Sequence, residues 1–278
     1  MSIFDEPKID CHNHLFDPLR FPYAPDTLYA PSGQEVAPRS QFERVLDAYG
    51  VRHALLVGPN SGYGQDNRCL LEALAQGQGR FKGIAVVDHA TSRDELAALH
   101  AQGIVGIAFN PALQGVASMA DAGPLLARLA ELGMFAQVQV QGDQLPELLP
   151  LLDASPVRVL VDHCGRPLAE AGVHQEGFRA LLRQAAGGRT WVKLSGMQKF
   201  ASLDHLETQA GPYVHALLEH FGAERCLWGS DWPFIRSPSR IDYGPLLKLA
   251  EHWLPDPATR RQVMWSTAQQ LFDFPQYP

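Results

Sequence analysis

Ile9-Asp10-Cys11-His12-Asn13-His14-Leu15-Phe16 is the stretch that decides the fold. An apolar run ending in two histidines reads as a buried strand with polar groups at its C-terminal end. Side chains alternate along a strand, so His12 and His14 share one side, about 7 Å apart, with Asp10 below them. Two imidazoles placed in this way can hold a metal or polarise one carbonyl. A lone His-x-His pair is more often an ordinary core or surface feature. Its meaning therefore depends on what the other strand ends bring to the same place.

Seven further short apolar runs follow, each bounded by turn residues: 52–59, 81–88, 104–110, 135–141, 157–163, 190–196 and 226–231. Segments of helical period lie between them, from Ala122 to Leu132, Leu145 to Leu152, Phe178 to Ala186, Tyr213 to His220 and Tyr243 to Trp253. Ser40-Gln41-Phe42-Glu43 and Ser92-Arg93-Asp94-Glu95 both have the capping-box pattern. Gly50, Gly103, Gly133 and Gly222 stand where helices should end. Eight strands alternating with helices over roughly 250 residues predict an α/β fold, a (β/α)8 TIM barrel. One domain over 1–278 is expected, with a C-terminal helix at about 257–272 packed outside the barrel. An open doubly wound sheet shares the alternation, but no Gly-x-Gly-x-x-Gly follows the first strand. The inserts 17–39 and 197–208 follow strands and should form lids or pocket walls on the C-terminal face.

A net charge of -7 argues against nucleic acid or an anionic membrane as partner. No stretch reaches about 18 continuous apolar residues, and the N-terminus lacks a basic-then-apolar leader. A cytoplasmic protein is expected, with a small-molecule partner and with homo-oligomerisation left open. Cys11, Cys69, Cys164 and Cys226 have no C-x-x-C spacing, so reduced buried thiols are expected.

Reacting groups in such barrels sit at the C-terminal strand ends. In chain order these ends offer His12 and His14, Asn60 and Ser61, Asp88 and His89, Asn110, Gln139 and Gln141, His163, Lys193 and Ser195, and Asp231. Gln137, Gln139 and Gln141 alternate with Val138 and Val140, so the glutamines should point into the barrel. Three histidines and an aspartate, from strands 1, 6 and 8, thus converge on one mouth. Trp232, next to Asp231, is expected at the rim, unlike the other tryptophans.

I-D-C-H-N-H, V-D-H-C-G-R-P at 161–167, V-K-L-S-G at 192–196 and L-W-G-S-D-W-P at 227–233 resemble the amidohydrolase superfamily. More narrowly they resemble its branch of lactonases related to 2-pyrone-4,6-dicarboxylate lactonase, over nearly the whole chain. The resemblance implies a distorted TIM barrel that opens the lactone ring of a small organic acid, as in aromatic compound catabolism. It implies that His12, His14 and His163 polarise the carbonyl and that Asp231 activates water. Arg166 is the best candidate to bind a substrate carboxylate, since guanidinium forks match carboxylates. Lys199, Arg68, Gln139, Gln141, Asn110, Ser61, Tyr63 and Ser195 complete the expected pocket.

Two departures from the family pattern stand out. Metal-dependent members carry a lysine or glutamate on strand 4 and a histidine on strand 5, where this chain has Ala108, Asn110 and glutamines. A binuclear site is therefore not expected; the likeness to the pyrone lactonase implies that no cofactor is required, the alternative being one divalent metal such as zinc on His12, His14, His163 and Asp231. Secondly, no basic residue lies between Ile104 and Arg128, so a lactone with one carboxylate or with hydroxyls is expected, rather than 2-pyrone-4,6-dicarboxylate itself. The competing readings are a metal-dependent decarboxylase of the same superfamily and a non-catalytic binding barrel.

Overall fold

The computed structural model describes residues 2–276 and contains one sheet of eight parallel strands in sequential order. They are β1 Lys8–Asn13, β2 Val51–Val57, β3 Phe81–Ala85 and β4 Ile104–Phe109. β5 Phe135–Val138, β6 Arg158–Val161, β7 Thr190–Leu194 and β8 Cys226–Trp228 complete it. Each lies in an expected apolar run, give or take a residue at its start. Most stop short of the run's end, because the last polar residues leave the ladder to form the mouth.

Between the strands lie α1 Arg39–Ala48, α2 Arg68–Gln76, α3 Arg93–Ala101, α4 Pro111–Gln114, α5 Gly123–Glu131 and α6 Gln144–Asp153. α7 Glu176–Arg183, α8 Leu206–Phe221 and α9 Tyr243–Trp253 follow. The capping box at Ser92 is formed, with Glu95 N–H donating to Ser92 Oγ and Ser92 N–H to Glu95 Oε2. The one expected at Ser40 is not. α1 begins at Arg39 behind Pro38, and Glu43 pairs with the Arg39 guanidinium instead of reaching back to an amide. Gly50, Gly103, Gly133 and Gly222 all have the positive φ expected past helix ends.

Closure of the barrel is irregular, and the closing seam carries the chemistry. Asp231 N–H donates to the His12 carbonyl at 2.7 Å, and His14 N–H to the Trp232 carbonyl at 2.8 Å. On its other side β1 shifts register against β2 between Asp10 and Asn13. A one-residue shift reverses the facing of side chains. That corrects the expected place of Asp10. Its carboxylate accepts from Ser230 N–H, Ser230 Oγ and the Tyr243 hydroxyl of α9, so it braces the seam from outside.

The end of the chain also sits differently from expectation. It runs as α10 Pro257–Arg261, a π turn and α11 Thr267–Phe272. Trp265, Ala268, Phe272 and Phe274 pack into one cluster with Ile9, Leu55, Phe135, Leu160 and Leu227 of the strands. The terminal helix thus plugs the barrel opposite the mouth instead of lying outside it. Each aromatic buried there contributes about 1.5–3 kcal/mol. All four cysteines are buried and free, and no helix is long and apolar enough to cross a membrane among the described residues.

Candidate active site

Four side chains from three places in the chain meet at the mouth. Asp231 Oδ1 lies 3.8 Å from His12 Nε2, 3.9 Å from His14 Nε2 and 3.8 Å from His163 Nε2. Two of these residues owe their aim to backbone that few side chains adopt, since His163 has φ +55° and Asp231 φ +62°. Gly196 passes so close beneath His163 that any Cβ there would strike its ring.

Hydrogen bonds fix the rings from behind. His14 Nδ1 sits 2.9 Å from the Val57 carbonyl, which only accepts, so the proton is on Nδ1 and Nε2 presents a lone pair. His163 Nδ1 pairs with Ser195 Oγ at 3.0 Å, and His12 Nδ1 lies 3.1 Å from Asp162 Oδ1. Gln198 Nε2 donates to Asp231 Oδ2 at 2.9 Å, and Lys199 Nζ lies 3.1 Å from the same oxygen. Asp231 Oδ1 and His12 Nε2 are buried and have no hydrogen-bond partner among the described residues.

Electrostatics follow from burial. His14 is pushed down to about 4 by desolvation, and His12 and His163 lie well below the ordinary histidine value for the same reason. All three rings are therefore neutral at pH 7. Burial raises Asp231 to about 6, with Lys199 opposing it. Neutral imidazoles and a carboxylate oxygen crowded around one space are the donor set of a divalent cation. The site's ligand atoms from His12, His163 and Asp231 all lie within 4.8 Å of one another. A tetrahedral site with bonds of about 2.0–2.1 Å sets its donors about 3.4 Å apart, and the three Nε2 atoms stand 3.8–3.9 Å from Asp231 Oδ1.

A cavity of about 250 Å³ opens above the cluster, lined by His14, His163 and Asp231 and by the expected Ser61, Asn110, Gln139, Gln141, Arg166 and Lys199. The Arg166 side chain makes no hydrogen bond among the described residues. Across a shared wall containing Asn60, Ala108 and Asn110 lies a wider cavity of about 750 Å³, which takes in Asp88 and His89.

Four expected residues fall elsewhere. Ser195 is fully buried behind His163 and does not line the cavity. The Tyr63 hydroxyl turns away to accept from Asp17 N–H, within an aromatic group that includes Phe16 and Tyr23. Arg68 is exposed and paired with Asp66. Trp232 is buried against Phe42, their ring centroids 4.7 Å apart, so it packs instead of facing the rim. In the other direction, Gln198 and Arg236 belong to the site although sequence reasoning misses them. Arg236 reaches the cavity from the loop after β8, its guanidinium over the Tyr29 ring. Neither loop has a period or motif that marks these residues.

A barrel whose β1, β6 and β8 ends bring His-x-His, His and Asp to one mouth has the architecture of a barrel enzyme with its reacting groups at the C-terminal strand ends. The chain belongs to the amidohydrolase family, whose profile matches residues 9–274. It is 30% identical to a 4-sulfomuconolactone hydrolase of Rhizobium radiobacter, covering 95% of this chain and 89% of that one. It is 28% identical to a 2-pyrone-4,6-dicarboxylate hydrolase of Comamonas testosteroni, with the same coverage. The structure matches that of a probable 2-pyrone-4,6-dicarboxylic acid hydrolase from Acinetobacter baumannii with citric acid bound. That match has a TM-score of 0.88 at 28% identity and covers 96% of this chain and 99% of the other.

Proposed function

We propose that the protein is a lactonase that hydrolyses the ring ester of a small carboxylated lactone, with Asp231 accepting the proton of the attacking water. The observation that carries this reading is the convergence of three imidazole Nε2 atoms on Asp231 Oδ1, at 3.8–3.9 Å, beneath a cavity lined by His14, His163 and Asp231. Both curated relatives described above are named for hydrolysis of a lactone, which supports the same reaction class here.

Ester hydrolysis needs a group to take a water proton and positive charge where the oxyanion grows. Asp231, raised to about 6, is largely ionised at pH 7 yet close enough to neutrality to accept a proton. Gln198 and Lys199 hold its Oδ2, which leaves Oδ1 facing the cavity for the water. Arg166 and Arg236 supply guanidinium forks for carboxylates. Arg236 stands in for the cations missing between 104 and 128, so the expectation of one carboxylate or hydroxyls, without the pyrone dicarboxylate, widens to lactones with one or two carboxylates.

The three histidines would polarise a carbonyl through a cation that they hold, since a bare Nε2 repels a carbonyl oxygen. His14 Nε2 cannot donate in the tautomer set by Val57, and the unpartnered His12 Nε2 and Asp231 Oδ1 face the same space. This favours the metal-bound alternative, with His12, His14, His163 and Asp231 holding one divalent ion such as zinc. Such an ion, when bound, supplies positive charge to the carbonyl oxygen.

The test is a panel of lactones followed by acid release, including sugar-acid lactones, muconolactones and 2-pyrone-4,6-dicarboxylate, each with and without chelator. Ring opening of at least one carboxylated lactone is expected, with loss of rate on chelation. Carbon dioxide release from an enol or aromatic acid, without ring opening, would instead mark a decarboxylase.

A further inference from the structure

Behind His12, three polar side chains form a cluster with almost no solvent contact: Asp162, Lys193 and Gln137, each at most 1% exposed. Lys193 Nζ donates to Gln137 Oε1 at 2.5 Å and lies 3.3 Å from Asp162 Oδ1. Gln137 Nε2 donates to Asp162 Oδ2 at 2.9 Å. A buried ion pair of this kind gives little net stability over apolar packing of similar volume. Its value has to be sought in what it does to its neighbour.

That neighbour is His12, whose Nδ1 is contested. Asp162 Oδ1 lies 3.1 Å away and Lys193 Nζ 3.4 Å away. A carboxylate only accepts, so pairing with Asp162 puts the ring proton on Nδ1. An ammonium only donates, so pairing with Lys193 would put it on Nε2. The cluster settles the contest. Lys193 pins the Gln137 carbonyl, so the amide NH2 must face Asp162 Oδ2, and Oδ1 is left for Lys193 and His12. Three donors thus converge on Asp162, which both oxygens of a carboxylate can accept and the single oxygen of an amide cannot.

We propose that Asp162 is a positioning residue which, clamped by Gln137 and Lys193, holds His12 as its Nδ1–H tautomer, so that Nε2 offers a lone pair to the space beside Asp231. The opposite tautomer would aim an N–H at Asp231 Oδ1, occupying the base and removing one donor from the pocket. Metal-binding histidines are commonly oriented by such a partner, and losing it costs about 10–100-fold in affinity or activity. The kinetic part of this inference rests on the lactonase reading; the tautomer does not.

Two measurements test it. Long-range proton–nitrogen spectra of the protein with 15N-labelled histidine distinguish a bare from a protonated ring nitrogen, His12 being assigned by the signals lost in His12→Gln. The expected result is a bare Nε2 and a protonated Nδ1 on His12 in the wild type; a proton on Nε2 overturns the proposal. The second is an apolar triple variant, Asp162→Leu with Lys193→Met and Gln137→Leu, which removes the cluster without stranding a charge. It is expected to melt within a few degrees of wild type while kcat falls about 10–100-fold and KM stays within about threefold. Wild-type kcat in a folded triple variant would mean that the cluster only fills space, which also overturns the proposal. If the triple variant does not fold, the wild-type spectrum decides alone. Absence of any lactone turnover by the wild type would sink the proposed function and leave the tautomer result standing.

Discussion

Replacing Asp231 with asparagine should move activity and stability in opposite directions. The carboxyl is fully buried, and burial raises its pKa from 3.8 to about 6 in the folded protein. The unfolded chain ionises near 3.8, so between pH 3.8 and about 6 the folded state binds the extra proton and stability falls as pH rises. Above about pH 6 the full penalty applies. A shift of about two units corresponds to about 3 kcal/mol. The asparagine side chain would escape this cost. Its carbonyl can take the Oδ2 place beside Gln198 and Lys199, turning the NH2 toward the imidazole lone pairs. At about 2.1 cal/mol/K per residue over 278 residues, 3 kcal/mol is worth about 5 °C in Tm. Asp231→Asn is therefore expected to melt about 5 °C above wild type at pH 7 in chelator-treated protein, with the gap closing by about pH 4. Its kcat should fall by about 10²–10⁴ through loss of the base. Calorimetry at both pH values, run beside the lactone assay, measures both effects. A variant no more stable at pH 7, or equally stabilised at both pH values, would refute the burial argument; wild-type kcat would remove Asp231 from the chemistry.

Three further outcomes are expected. Arg166→Met should raise KM for a carboxylated lactone by about 10–100-fold, the loss of one charge-assisted pair, and leave neutral lactones within about threefold; equal effects on both would show that Arg166 does not read the carboxylate. Tyr243→Phe removes a 2.9 Å hydrogen bond to the buried Asp10 and should cost about 1.5–3 kcal/mol by denaturant unfolding with kcat unchanged; an unchanged midpoint would mean the seam does not depend on it. Adding zinc to chelator-treated wild type should raise Tm in proportion to the logarithm of free metal, and Asp231→Asn should weaken that dependence. A Tm independent of zinc would argue for a metal-free site.

The strands were legible because each is a short apolar run closed by turn residues, and the glutamines of β5 marked the inner face directly. The four residues at the mouth were legible because strand ends in a barrel have only one place to meet. What failed was whatever depends on departures from regular alternation. Asp10 was misplaced by a register shift that no local pattern announces. Ser195 shares the facing of Lys193, yet it lies behind His163 and outside the cavity, a consequence of three-dimensional stacking. Tyr63 follows β2 in a loop that packs on Phe16 and Tyr23, and Arg68, at the start of α2, is turned to solvent and paired with Asp66. Arg236 reaches the cavity because the loop after β8 folds back, its backbone N–H held by Glu35 from the insert after β1. That contact joins residues 201 positions apart.

The most direct test of the catalytic assignment is a crystal structure with the lactam analogue of the best lactone, which binds in the same way and resists opening. The ring is expected in the cavity over His14, His163 and Asp231, its carbonyl toward the cation that these residues and His12 would hold, its carbonyl carbon facing Asp231 across one water and its carboxylate on Arg166. A ring lodged in the wider cavity beside His89, away from Asp231, would contradict that assignment.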